Sequence, residues 1–439
     1  MGVMNEAAVE SIELEQVGKE IQLLWPNFRG LFNLLDKSAK KTNIANTTLG
    51  GDTPRSAWRE SMLIQGASGI NVGTGDGDAI TVNGTGSKTA AFSMAPVYVF
   101  NTTVYTHLAE LATEGAERGV ESITKTEMKR SVKQFYNGIE SLFNGDGSGA
   151  IDQIPNTAVI NDSTGTGDET SSIVGVSTAA AFVDQQYVQF FAAESGSPRA
   201  GTFKVSYVDV VNQTLYFSTA LTGVSNGDYI MVAGASGAVG SSVLGVPYWN
   251  TAGYVGTKGG LSLAQYPSRL STPVINLGGA QVTPSVVQRA RVLLSRALGD
   301  DSDELDKGVW YGRPEQAATI ASQWYTTLIS QNLEGGGINA TDRARKGLPE
   351  TFGERTFVSS NTAKPGRIDL LFPEKWAIGE LCPVRLYNFA SGAVVWPVMN
   401  SSGQITSAKQ FVYEWGGQLC NLAPRHGLFI TNASTIKLN

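Results

Sequence analysis

The chain opens with apolar positions at helical spacing. Ile12, Leu14, Val17, Ile21 and Leu24 recur among acidic residues, and Pro26 ends the helix they predict. A second apolar cluster follows in LLWPNFRGLFNLL, with Trp25, Phe28, Leu31, Phe32 and Leu35. An aromatic helix of this kind is a poor free tail, so it is expected to lie on its own subunit or on a neighbour. From Thr47 to Phe92 the texture changes to Gly, Thr, Ser and Asp. Met62 and Ile64 alternate on the way into GINVGTGDGDAITVNGTGSKTAAF, and Ile80 and Val82 on the way back. This pattern predicts a long two-stranded excursion with little core of its own. A lone hairpin is marginal in water, so it should rest on another chain.

The clearest helix runs from Thr126 to Phe143, with Met128, Val132, Phe135, Ile139 and Leu142 on one face. Lys125, Lys129, Arg130 and Lys133 take the other faces. Its length is roughly 27 Å at the usual rise. Residues 158–242 alternate at period two, as in Phe203, Val205 and Tyr207, and predict a small barrel or sandwich inserted in a loop. Low-complexity stretches, NDSTGTGDETSS and GASGAVGSS, mark its ends. After Thr283 the pattern becomes α/β. TPSVVQRARVLLSRAL carries a Thr cap and a first-turn Pro, GVWYG is a strand, and PEQAATIASQWYTTLISQ is a helix. The closing strands need partners laid down earlier.

Several short motifs invite chemistry and fail on context. NGDGSGAIDQIP from Asn144 places oxygen residues as a calcium loop does, but Pro155 stands where the bidentate Glu must be. Asn-Gly after Phe143 is instead a helix stop, since both residues tolerate left-handed backbone. The same stretch fits GxGxxA but follows a helix rather than a strand. GVSNG (Gly223 to Gly227) precedes a strand, not the helix that a nucleophile elbow requires. GTGSKT (Gly84 to Thr89) lacks the Gly that precedes the P-loop lysine. No His/Cys/Asp cluster has metal spacing, so no catalytic residue, cofactor or metal ligand is expected.

Composition narrows the classes further. Of 439 residues, 50 are Gly, 41% are hydrophobic and 16% charged, which fits a turn-rich folded chain with a sizeable core. The net charge of −6 comes with no basic run, which argues against sequence-specific nucleic-acid binding. Cys382 and Cys420 are the only cysteines, so no disulfide framework is expected and a reducing compartment is the default. No secretion signal and no apolar run of membrane-spanning length is present.

The order of parts resembles the major capsid proteins of tailed bacteriophages, with the Hong Kong phage-type fold. The local matches are KQFYNGIESLFNGDGSGAIDQIPN, VGTKGGLSLAQYPS and QFVYEWGGQLCNLAPRHGLFITN. The resemblance implies an α+β fold. It would comprise an N-terminal arm (1–46), an E-loop hairpin (47–105), a spine helix with the first part of the P-domain (106–157), a β-rich insertion (158–242), an A-domain (243–375) and return strands (376–439). It implies a homo-oligomer of hexamers and pentamers in an icosahedral shell. The shell would assemble in the bacterial cytoplasm and enclose double-stranded DNA without sequence-specific binding. Portal and decoration proteins would be partners. Some relatives carry a scaffold segment ahead of the arm; its absence here implies either a separate scaffold protein or a processed chain. Trp25, Phe28, Arg55, Trp58, Arg59 and Lys88 are the expected inter-subunit contacts. Some members cross-link through an E-loop lysine; Lys88 is near that place, with no partner Asn evident. A β-rich tail or head-decoration protein, or an enzyme of unfamiliar type in 283–439, are the competing readings.

Overall fold

The computed structural model describes residues 30–43, 58–65, 86–107, 123–161, 170–199, 201–299, 307–320, 351–352, 355–388, 394–400 and 402–434. Helix α1 (Gly30–Ser38) buries Leu31 and Leu35, four residues apart on one face. Strand β1 (Lys40–Asn43) follows it. Strands β2 (Trp58–Gln65) and β3 (Lys88–Met94) pair antiparallel, with Trp58 opposite Met94 and Glu60 opposite Phe92. The predicted hairpin is therefore present at its base. Ile80 and Val82 lie outside the described residues, as do Trp25, Phe28 and Arg55. Strand β4 (Val97–Thr106) leaves the hairpin for the central sheet. Helix α2 (Ile123–Phe143) is the long amphipathic helix, beginning a few residues earlier than its apolar spacing predicts.

Next come β5 (Ala150–Gln153), β6 (Val159–Asn161), β7 (Ser171–Val174), β8 (Tyr187–Phe191), β9 (Phe203–Asp209), β10 (Thr214–Phe217) and β11 (Tyr229–Val232). They form one seven-stranded sheet in the order β5-β11-β8-β9-β10-β7-β6. It has a core of its own, built on Ile173, Phe190, Val205, Phe217 and Ile230. The block starts before residue 158, because β5 pairs with β11. The polar stretch 162–169 separates the paired strands β6 and β7 rather than marking an edge of the block.

The remaining strands are β12 (Thr257–Lys258), β13 (Leu261–Ser262), β14 (Val274–Asn276), β15 (Val309–Gly312), β16 (Thr351–Phe352), β17 (Arg355–Ser359), β18 (Ile368–Leu371), β19 (Trp376–Leu386), β20 (Trp396–Met399), β21 (Ile405–Asn421) and β22 (Leu428–Thr431). Helix α3 (Pro284–Leu298) carries Pro at its first turn with Thr283 ahead of it, and Gly299 ends it at φ +86°. A mixed six-stranded sheet, β14-β22-β18-β15-β17-β16, packs with α3 around Ile275, Leu294, Trp310 and Leu370. The central sheet runs β1-β19-β21-β20, with β4 also on β21. The final strands do take earlier partners: β21 pairs with β4, and β22 with β14 in parallel.

The main core lies between the central sheet, α1, α2 and the hairpin base. Phe143 meets Trp415 edge-on at 5.9 Å, and Phe135 stacks on Tyr413 at 6.2 Å. Phe32 of α1 packs on Tyr136 at 5.2 Å. Leu31, Leu35, Trp58, Phe92, Ile139, Trp249 and Trp376 belong to the same cluster. The second apolar segment at the start of the chain thus lies on its own subunit from Gly30 onward.

Candidate functional site: arm root, hairpin base and open sheet face

Among its described residues the hairpin is anchored at its base. Trp58, Phe92 and Met94 enter the main core, and Phe92 meets Trp249 edge-on at 5.1 Å. Ser93 N–H donates to the Gly259 carbonyl at 2.8 Å. Gly259 has φ +52°, and a Cβ there would come within 2.8 Å of the Phe92 ring. That contact gives the Gly-Gly of VGTKGG its purpose as a backing for β3. Met62 still packs on the main core, but Leu63 further out is 56% exposed, and Arg59 beside Trp58 and Lys88 at the outer end face solvent. Of the expected contact residues, Trp58 is corrected. It is 1% exposed within its own subunit, so it anchors the hairpin and has no surface to offer a neighbour.

The arm root is built on a carboxylate. Glu140 of α2 is fully buried, and its Oε1 accepts from Leu31 N–H at 2.8 Å. Its Oε2 accepts from Phe32 N–H at 2.6 Å, and the Ser360 hydroxyl donates to Oε1 at 3.0 Å. The carboxylate therefore serves the unsatisfied first N–H groups of α1, where the helix dipole favours negative charge. Burial outweighs those hydrogen bonds and pushes the carboxyl up to about 7. One turn on, Asn144 Nδ2 donates to Thr362 Oγ1 at 3.1 Å, and Tyr311 Oη donates to Asn144 Oδ1 at 3.0 Å. Four separated segments of chain meet at this node.

One sheet face is open. Tyr98 and Phe100 stand on β4 at 51% and 56% exposure, their rings parallel and 6.2 Å apart. Gly416 on β21 makes room for Tyr98, since a Cβ there would sit 3.1 Å from its ring. Glu414, opposite Phe100, receives Arg385 Nε at 2.7 Å.

The NGDGSG segment is a helix stop. Asp146 Oδ1 accepts from Ser148 N–H and Oγ–H, Gly147 and Gly149 take φ +92° and +89°, and β5 follows rather than a helix. Its backbone holds the segment that leaves the β block: Gly240 N–H and Ser242 N–H both donate to the Gly147 carbonyl at 3.0 Å. GVSNG is likewise a turn, leading into β11 with Gly223 and Gly227 at positive φ. Cys382 and Cys420 are both free and buried. Among the described residues no group of His, Cys, Asp and Glu could hold a metal ion, and no helix is long and apolar enough to cross a membrane.

Two polar residues of structural weight gave no signal in the sequence. Glu140 sits at the flank of the α2 apolar stripe, where a charged residue reads as solvated. Lys258 is buried, and its ammonium donates to the carbonyls of Trp249 (2.5 Å), Leu270 (2.6 Å) and Thr251 (3.0 Å). It ties together the ends of the one-turn helices Val246–Trp249 and Pro267–Leu270. Lysine in a Gly-rich stretch otherwise reads as surface.

No protein-family model matches the chain, and no curated protein matches it. Among solved structures it is similar to the capsid asymmetric unit of Cyanophage A-1(L), with 11% identity, 98% of this chain and 99% of that chain covered, and a TM-score of 0.54. The capsid of a native GTA particle (8% identity, 95% of each chain, TM-score 0.45) is a more distant likeness. So is the capsid of Myoviridae Phage XM1 (9% identity, 95% and 96% covered, TM-score 0.44). At such identities the likeness is one of fold, and it runs from end to end of both chains. Long helix, hairpin, central sheet and mixed sheet together have the α+β, Hong Kong phage-type fold of a tailed-phage capsid subunit.

Proposed function

We propose that this chain is the major shell subunit of a tailed double-stranded-DNA phage and assembles with copies of itself into hexamers and pentamers of an icosahedral head. The carrying observation is a capsid fold over 98% of the chain, joined to a hairpin whose strands leave their own core after the first few residues. A two-stranded ribbon with exposed Leu63, Arg59 and Lys88 gains stability only when another surface covers it. In a closed shell every copy supplies that surface, and modest contacts sum over the assembly. Arg59 and Lys88 are the described contact residues in this reading. Trp25, Phe28 and Arg55 are assigned to the same role on sequence alone. The role is structural, without catalysis, and its place is the virion. The net charge of −6 suits a shell that encloses DNA without gripping it. Scaffold, portal and decoration proteins are the further partners.

Electron microscopy and light scattering of the chain, expressed alone and with its neighbouring genes, test this. Rings, tubes or closed shells are expected. A monodisperse monomer or dimer under every condition overturns it.

A further inference from the structure

Charge is segregated along the chain in a way that the net value hides. Residues 229–299 contain no Asp or Glu but hold Lys258, Arg269, Arg289, Arg291 and Arg296, and residues 415–439 contain no acid either. The whole chain is nevertheless at −6. The fold brings the two acid-free stretches together. The turn Pro424–His426 packs against both α3 and the one-turn helix Pro267–Leu270. Ser271, just past that short helix, accepts Gly253 N–H on its hydroxyl at 3.2 Å and Arg425 Nη1 on its carbonyl at 3.5 Å. The loop 251–256, the short helix, the turn and α3 are thus continuous.

The outward side of these elements has the make-up of a protein interface. Arg289, Val292 and Arg296 lie three and four residues apart on one side of α3, away from Ala290 and Leu294, which enter the core. Val292 is 50% exposed, and Tyr254 and Val255 of the loop are 69% and 90% exposed. Arg289, Arg291 and Arg296 are all exposed, and no hydrogen bond or ion pair joins any of them to another described residue. Arginine and aromatic side chains without Asp or Glu are the composition that marks interface cores. The complement comes next in the chain. Asp300, Asp301, Asp303, Glu304 and Asp306 follow Gly299 with no base among them. They follow the carbonyl end of α3, whose partial negative charge disfavours their return along their own helix.

We infer that the arginine face of α3 receives the acidic segment 300–306 of a second copy of this chain. The stripe from Arg289 to Arg296 spans about 10 Å of helix, a length that about three extended residues cover. The two patches are different surfaces of one chain, so the contact is head-to-tail and can close a ring. It also meets an electrostatic need. Copies at −6 repel one another, and like-charged subunits approach best where opposite patches face each other. This inference rests on the self-assembly proposed above and names the residues of one contact within it.

A charge swap in the full chain tests it, read by sedimentation for assembly and by circular dichroism for subunit melting. Arg289→Glu with Arg296→Glu should lower the assembled fraction by about tenfold or more and shift the melting temperature by no more than about 2 °C. Asp301→Arg with Asp303→Arg should do the same. All four changes in one chain should restore assembly to within about twofold of wild type. If a reversed chain does not fold, Arg289→Gln with Arg296→Gln should still weaken assembly and reduce its sensitivity to salt. Normal assembly of the arginine variants overturns the contact and leaves the shell reading standing; a wild type that never assembles overturns both. Loss of assembly that the fourfold change does not restore removes 300–306 as the occupant. A swap that lowers and then restores subunit melting places the two segments together within one copy, against the inference. Unchanged assembly with loss of duplex DNA retention at low salt assigns the face to phosphates instead, and overturns it as well.

Discussion

At the residue scale, the sharpest constraints are single polar groups without a substitute. Lys258 has three carbonyls to satisfy and three N–H bonds to do it with. Lys258→Met keeps the volume and leaves buried acceptors bare, so the subunit should lose about 3 kcal/mol or more in urea unfolding. Gly259 is constrained twice, by φ +52° and by the Phe92 ring. Gly259→Ala should cost about 1–3 kcal/mol, and the Ser93 amide should lose exchange protection with it. Neither position was legible in the sequence. A buried lysine and a surface lysine look alike until the carbonyls around them are placed, and those carbonyls come from two other turns.

At the element scale, the described part of the hairpin divides into an anchored base and an outer stretch, at Leu63 and Lys88, that is exposed on its own subunit. Trp58→Ala empties a site in the main core and should destabilise the isolated subunit by about 3–5 kcal/mol. Arg59→Ala with Lys88→Ala removes only exposed groups, so subunit stability should stay within about 0.5 kcal/mol. On the proposed function the same pair lowers the yield of assembled particles, measured by sedimentation. Equal loss of subunit stability from both variants would contradict the division. The existence of the hairpin was legible, since alternation flanks a Gly-rich stretch. Which aromatic faces inward was not. Trp58 and Arg59 are neighbours in a strand, and register alone decides that one is core and the other surface.

At the scale of the whole molecule, the seven-stranded block stands on its own core, with entry and exit side by side at Gly147 and Gly240. A fragment spanning 147–242 should therefore fold alone with a cooperative thermal transition; a broad, non-cooperative melt would mean that it depends on the helix α2 it abuts. The block was legible as β-rich, but its edge was not. β5 looks like the tail of a turn until β11 pairs with it, some 75 residues later in the chain.

Period and punctuation in the sequence determined the long helix, its stop at Asn144–Gly145, the hairpin, the β block and the late return strands. These follow from local physics: side-chain spacing of 3.6 or 2, and backbone that only Asn or Gly tolerates. The order of these parts also carried the resemblance to a capsid fold, because order survives where identity falls to 11%. The tertiary structure alone decided which polar residues are buried and what they hold. Glu140 and Lys258 each meet groups that the chain brings from distant segments. A lone charge is affordable in the interior only where such donors or acceptors converge, and convergence is a property of the fold, not of any window of the sequence.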